Sequence, residues 1–333
     1  CNMAKSKQAK LQRSPDLSVI VPLHNEEANV PPLYKSLVKN LKGINYELIF
    51  VDDGSFDGTV AEILQIKDAN LKCTRFARNY GQTSAMAAGI EHAKGEYIAT
   101  LDGDLQNDPS DIPVMLERIK KEKIDLVAGR RKKRQDNYVL RKFPSMIANY
   151  IIRRSTGVYL SDYGCTIKVF KAQLAKRLEL YGELHRFIPV LASLHGAKIA
   201  EIDVKHYARK YGESKYGISR TIRVISDLML MLFFLKYKQK PMHLFGSIGQ
   251  ISLGLGGILM TYLLVIKIFG ADIGNRPLLF ISILMIMTGV QFLTTGFIAE
   301  LLMRTYYAAE KKKPYTIETI YVGGDESKAP DIS

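Results

Sequence analysis

Residues 96–109 read EYIATLDGDLQNDP. EYIATLDGD (96–104) is a β-rich run. It closes with Asp102 and Asp104 one residue apart, and the residues after it offer the Asn, Asp and Pro of a helix start. The same design recurs outward from it. LSVIVPL (17–23), YELIFVDDG (46–54), KCTRFA (72–77) and DLVAGR (125–130) are short apolar runs, several closing on Asp or Gly. Helical patterns over 26–41, 59–69, 82–93 and 109–121 lie between them. Strands alternating with helices predict a Rossmann-like α/β domain whose mostly parallel sheet is covered on both faces. Ligands gather at the carboxyl ends of such strands, where Asp52, Asp53, Asp102 and Asp104 fall.

In an extended segment, residues i and i+2 project to one side, so Asp102 and Asp104 can share one hard divalent cation. Such a cation keeps several places for water and substrate phosphate, and it offsets charge building on a departing diphosphate. Gln106 can add a neutral oxygen. The bland alternative is a turn, for which D-G-D is also good chemistry. The second acidic pair, in VDDGS, favours a site over a turn, because both pairs converge on one sheet edge. The first strand is not followed by G-x-G-x-x-G, and the chain has no P-loop, which argues against dinucleotide and ATPase sites.

The formal net charge is +14, and residues 129–154 hold nine Lys or Arg against one acid, Asp136. An anionic partner follows: nucleic acid, anionic lipid or a phosphorylated substrate. Three cysteines without metal-ligand spacing fit a reducing compartment. Residues 244–266 and 277–299 are each 23 residues without Asp, Glu, Lys or Arg. Each helix would reach roughly 35 Å, enough for a bilayer core of about 30 Å. Ten residues separate them, so they form a transmembrane hairpin whose ends emerge on one side. Lysines at 236, 238 and 240 and the basic residues after 303 flank those ends, which places the N-terminal region and the tail in the cytoplasm. The opening CNMAKSKQAK has no signal-peptide apolar core and reads, with residues to 16, as a basic leader. Basic amphipathic patterns over 139–157 and 217–240 suit helices lying in the headgroup layer, core-facing helices being the alternative. The expected organisation is a leader (1–16), a domain (17–216), an interfacial helix (217–240), a hairpin (241–303) and a polar tail (304–333). Gly249, Ser252, Gly254, Gly256 and Gly257 permit close helix packing, within the hairpin or between subunits of a homo-oligomer.

VPLHNEEANV, VDDGSFDGT, RNYGQTSAMAAGI, LDGDLQNDP, DYGC and GELHRFIP, in that order, resemble the family-two glycosyltransferases of GT-A fold. More narrowly, the chain resembles the polyprenyl-phosphate branch, the dolichol-phosphate mannose synthases and bacterial glucosyl relatives, from about residue 17 to the end. The resemblance implies that Pro22, Glu26, Asp53 and Asp102 line the nucleotide pocket, and that Asp102, Asp104 and Gln106 hold Mg²⁺ or Mn²⁺. It further implies that the acceptor phosphate meets Arg130 or Arg131, Arg141, Ser145, Arg209, Ser214 and Lys215, with Arg209 and Lys215 also steadying the leaving diphosphate. Glu183, His185 and Arg186 stand where relatives with hydroxyl acceptors keep a base, and are expected to position the sugar instead.

An ionised lipid phosphate needs no base, so one in-line displacement should convert an α-linked sugar nucleotide into a β-linked polyprenyl-phosphate sugar. The expected setting is a bacterial cell membrane. UDP-glucose is the expected donor, on the hairpin and DYGCTIKVF, with GDP-mannose the alternative. Two rivals are weaker. Processive polysaccharide synthases resemble one another in a Q-x-x-R-W motif, and this chain has no Trp. A non-catalytic basic scaffold leaves two acidic pairs without a reason, and no aromatic stacking motif for nucleic acid is present.

Overall fold

Leu17–Leu23 (β1) is buried at every residue, which is what the centre of a sheet covered on both faces demands. β1 lies between Tyr46–Asp52 (β2) and Tyr97–Thr100 (β4), parallel to both. Leu71–Arg75 (β3), Leu126–Arg131 (β5), Lys168–Lys171 (β6) and Ile199–Val204 (β7) complete a seven-stranded sheet of order β3-β2-β1-β4-β6-β5-β7. β6 runs antiparallel to β4 and β5, while β5 and β7 are parallel. This computed structural model describes residues 14–131, 153–154, 157–180, 182–208, 229–230, 233, 236–237, 240–309, 319–322 and 325–328.

The helices of this unit are Val30–Asn40 (α1), Thr59–Gln65 (α2), Gln82–His92 (α3), Asp111–Lys121 (α4), Ala172–Ala175 (α5) and Ile188–Leu194 (α6). α1 carries proline in its first turn, where the missing N–H is no loss, and buries Val30, Leu33 and Leu37 on one face. α4 does likewise with Ile112, Met115, Leu116 and Ile119. Each such side chain contributes about 1.5–3 kcal/mol by leaving water. Pro22 fits in a central strand because it lies past Ile20, the last β1 residue paired with β4.

Three sequence expectations need correction. The strand predicted over 96–104 ends at Thr100, because the Asp-Gly-Asp segment turns, with Leu105 at φ +61°. The helix predicted over 59–69 stops at Gln65, where Ile66 is extended and the Asp68 carboxylate accepts from Asn70 N. β6 and β7 were not among the predicted strands; β6 has only four residues, with Lys at both ends, and β7 is half-exposed.

The chain divides into two units, Cys1–Leu228 and Met229–Ser333. In the second, Pro241–Ile268 (α7) and Pro277–Ala309 (α8) pack as a hairpin and contain both charge-free runs. Their mean hydropathy is 2.0, yet only 11% of each apolar window is buried. A buried soluble helix would show the reverse, so these helices suit a lipid surround. A short antiparallel pair, Thr319–Val322 (β8) with Asp325–Lys328 (β9), follows in the tail, where no strand was predicted. The interfacial pattern at 139–157 lies almost wholly outside the described residues, as does most of 217–240.

The small residues sort into two groups. A Cβ on Gly249 would stand 2.9 Å from the Gly289 carbonyl, and one on Gly256 2.9 Å from Ile286 N, while Ser252 Oγ donates to Met285 O at 2.8 Å. Gly254 and Gly257 have nothing within 4 Å. Gly249→Leu should therefore weaken the hairpin by about 1–3 kcal/mol, and Gly254→Leu should leave it nearly unchanged. SDS unfolding of the detergent-solubilised protein checks this order, and equal effects would refute it.

Candidate active site

β1 and β4 are neighbours although β2 and β3 intervene in sequence, so the chain reverses direction across the sheet there. A crevice opens at such a switch point, outside the carboxyl ends. Asp53 follows β2 at this edge. Its Oδ1 accepts from Tyr80 N at 2.7 Å and its Oδ2 from Gly81 N at 2.9 Å, which fixes the loop leading into α3. The approach is tight: Gly54 has φ +67°, and a Cβ there would meet the Arg78 carbonyl carbon at 2.3 Å. Asp52 is buried and structural, accepting from Ser55 N and lying 3.5 Å from Arg75 Nε.

Asp102 and Asp104 follow β4 at the same edge. Asp102 keeps some exposed surface, but its carboxyl group is closely surrounded. Gln82 Nε2, from the first turn of α3, donates to Oδ1 at 2.6 Å, and Thr166 Oγ1 donates to Oδ2 at 2.7 Å. Thr166 reaches Asp102 because β6 runs backwards and so begins at this edge. Burial, then the neighbouring Asp104 charge, push the Asp102 pKa up to about 6. Asp104 is buried and accepts from Gln106 N at 3.2 Å. The Gln106 side chain points its Nε2 to Tyr207 O at 3.5 Å.

Cations stand behind the acids. Arg131 Nε and Nη2 donate to Asp162 Oδ2 and Oδ1 at 2.6 and 2.9 Å, a two-pronged pair whose side chains are only 14% and 12% exposed. Arg130, the preceding residue, pairs instead with the more exposed Asp203 at 2.5 Å. Lys168 is buried, donates to the Cys165 carbonyl, and has its pKa lowered by burial.

Glu183 precedes a short 3₁₀ turn, Leu184–Phe187, that carries His185 and Arg186. Buried His185 Nδ1 and Thr83 Oγ1 share a hydrogen bond of 2.7 Å, so adjacent residues of α3 touch His185 and Asp102. Burial, then Arg186 and Lys168, push the His185 pKa down to about 3 from an ordinary 6.5. The folded chain keeps this ring neutral, whereas the unfolded chain takes up a proton below about pH 6.5. Stability is therefore full above that pH and declines as pH falls, by about 2 kcal/mol at pH 5. His185→Gln should flatten that decline in unfolding midpoints measured from pH 5 to 7.5. Parallel pH curves for the two proteins would count against it.

Glu26 accepts from Asn29 Nδ2 at 2.5 Å and lines a cavity of about 450 Å³ with Glu27, Asp57 and Glu62. Four acids make a poor seat for a diphosphate, so Glu26 can serve only hydroxyl or N–H donors there. Arg141, Ser145, Arg209, Ser214 and Lys215 lie outside the described residues. Sequence reasoning assigned no role to Gln82, Thr83, Asp162, Thr166 or Lys168. All five lie within or just after the RNYGQTS and DYGC segments, the one signal that could have found them.

The family described as glycosyl transferase family 2 matches residues 18–179. The chain is 45% identical over 328 residues to the dodecaprenyl-phosphate galacturonate synthase of Rhizobium johnstonii, covering 95% of this chain and 96% of that one. The chain belongs to glycosyl transferase family 2. This glycosyltransferase is also 35% identical over 325 residues to the undecaprenyl-phosphate 4-deoxy-4-formamido-L-arabinose transferase of Shewanella sediminis, covering 95% and 96% of the two chains. In fold, the glycosyltransferase is similar to glucosyl-3-phosphoglycerate synthase from Mycobacterium tuberculosis, solved with Mn²⁺, UDP and glucosyl-3-phosphoglycerate. The TM-score is 0.53 at 17% identity, over 66% of this chain and 80% of that one. The same synthase has been solved with Mg²⁺ and UDP, at a TM-score of 0.53. The GT-A fold expected from sequence is therefore the fold of this domain.

The donor chemistry of the glycosyltransferase fits a divalent cation. Two carboxylates face one another closely enough for one to raise the other's pKa, a penalty that a bound cation removes. Among the described residues no third His, Cys, Asp or Glu joins them. Mg²⁺ and Mn²⁺ suit such a site, because they take one or two carboxylates and leave the rest of the shell to substrate phosphate.

Proposed function

We propose that this chain transfers a hexuronosyl group, galacturonate in the first instance, from its UDP conjugate to polyprenyl phosphate with inversion. The observation that carries the reading is end-to-end similarity, hairpin included, to a synthase that makes dodecaprenyl-phosphate galacturonate. It replaces the glucose expected from sequence, and galacturonate takes precedence over GDP-mannose on the same similarity. UDP and a divalent cation are carried over from the fold neighbour as part of the proposal.

The bound cation would neutralise charge on the departing diphosphate. Asp102 and Asp104 would hold it, with Gln82 and Thr166 fixing the Asp102 carboxylate from behind. Asp53 braces the loop over the nucleotide. A phosphate oxygen of the lipid forms the new bond to the anomeric carbon as the bond to UDP breaks, and no base is required. His185, bonded to Thr83 and made a weak base by burial, positions and does not abstract a proton. Arg131 is committed to Asp162, so its part is to hold the wall of the site. Arg130, whose Asp203 pair is exposed, is the better candidate for the acceptor phosphate, with Arg141, Ser145, Arg209, Ser214 and Lys215. The hairpin would seat the domain at the cytoplasmic face of the cell membrane, where the lipid phosphate lies.

The test offers the purified protein UDP-galacturonate, UDP-glucose and GDP-mannose separately, each with polyprenyl phosphate and Mn²⁺. The proposal expects UDP-galacturonate to be consumed first. Preference for either other donor would overturn the sugar assignment.

A further inference from the structure

A hexuronate differs from the matching hexose at C6, where a carboxylate replaces a hydroxymethyl group. A site that prefers the uronate must present a cation that is not already satisfied. Arg131 is held in its two-pronged pair with Asp162, and Arg130, beside the more exposed Asp203, is the candidate for the acceptor phosphate. Lys168 is 1% exposed and its ammonium is bonded to the Cys165 carbonyl. His185 is neutral.

Arg186 differs from all of these. Its Nη2 is buried and has no hydrogen-bond acceptor among the described residues. The acid beside it is Glu183, whose Oε2 lies 3.5 Å away, an ion pair without a hydrogen bond. The Arg186 side chain as a whole keeps 18% of its surface. The turn that carries it packs against the start of α3, beside the site. His185, the neighbour of Arg186, bonds Thr83, while Gln82, the neighbour of Thr83, bonds Asp102. A buried guanidinium nitrogen lacking an acceptor calls for one, and a bound ligand can bring it.

We infer that Arg186 is the residue that selects a uronate donor, by receiving its C6 carboxylate. This rests on the hexuronate reading above. The guanidinium fork matches a carboxylate in two parallel hydrogen bonds, which a hydroxymethyl group cannot supply. His185 acts as a positioning residue, held by Thr83 so that the following Arg186 keeps its place.

The experiment measures kcat/KM of the full-length protein with polyprenyl phosphate and Mn²⁺ for UDP-galacturonate and UDP-galactose. Wild type should favour the uronate. Arg186→Gln should lower the uronate-to-galactose ratio by about 30- to 100-fold, mainly through KM, and Arg186→Lys should restore part of it. The C6 methyl ester of UDP-galacturonate, offered to wild type, should lose a similar factor, a measurement independent of whether the variants fold. If wild type prefers the uronate but Arg186→Gln keeps that preference, or the ester is used as well as the acid, the inference fails alone. If wild type prefers UDP-galactose, the hexuronate reading fails and takes this inference with it.

Discussion

Asp104→Asn should reduce sugar transfer to polyprenyl phosphate by about 10³-fold, with the fold intact. The substitution keeps an oxygen for the Gln106 N–H, which lies 3.2 Å from Asp104 Oδ1, so the local turn has no reason to open. What it removes is the charge that, beside Asp102, makes the edge of β4 fit for a divalent cation. Gln82→Ala removes one support of the Asp102 carboxylate; Thr166→Ala removes the other, and with it the acceptor of the buried Asn107 Nδ2 at 3.0 Å. They should cost about 10- to 100-fold, as losses at supporting partners usually do. Steady-state rates over a Mn²⁺ titration separate the cases. The supporting variants should recover part of their rate at high metal, whereas Asp104→Asn should not. An Asp104→Asn protein at one-tenth of wild-type rate or better would contradict this placement of the chemistry.

Asp162→Asn should lower the stability of the α/β domain by about 3–5 kcal/mol, the usual effect of removing one partner from a buried ion pair. Arg131 cannot relieve the loss by turning to water, because its side chain is only 14% exposed and it lies against Asp102 and Lys168. For a domain of this size the melting temperature should fall by about 8–15 °C. Replacing both residues by apolar ones of similar volume should recover much of the loss, since a buried pair is worth little over a packed hydrophobic equivalent. Thermal unfolding followed by far-UV circular dichroism reads both effects. A shift under 2 °C for Asp162→Asn would mean that the pair is solvated.

Much of this was legible locally. β1, β2, α3 and α4 start or end within two residues of their sequence patterns, because burial on both faces or on one helical stripe leaves a periodic trace. The aspartates were legible for the same reason: D-G-D closes a strand that the pattern had already located. The partners of those aspartates were not. Gln82 and Thr166 reach Asp102 from 20 and 64 residues away, and Arg131 meets Asp162 across 31. The contact from Thr166 exists because β6 inserts backwards between β4 and β5, while Gln82 arrives on α3. Four residues with a lysine at each end do not announce that insertion. Sequence could likewise propose Arg130 or Arg131 for a phosphate; only the positions of Asp162 and Asp203 distinguish a committed arginine from a more exposed one.

The most direct test of the central claim is the lipid product itself. The purified full-length protein is incubated with UDP-galacturonate, polyprenyl phosphate and Mn²⁺, and the extracted lipid is examined by mass spectrometry and by NMR of the anomeric linkage. The account predicts a polyprenyl phosphate carrying one hexuronosyl unit joined through its phosphate with the anomeric configuration inverted, formed with Mn²⁺ and not in chelator. Retained configuration, or the same yield in chelator, would contradict it.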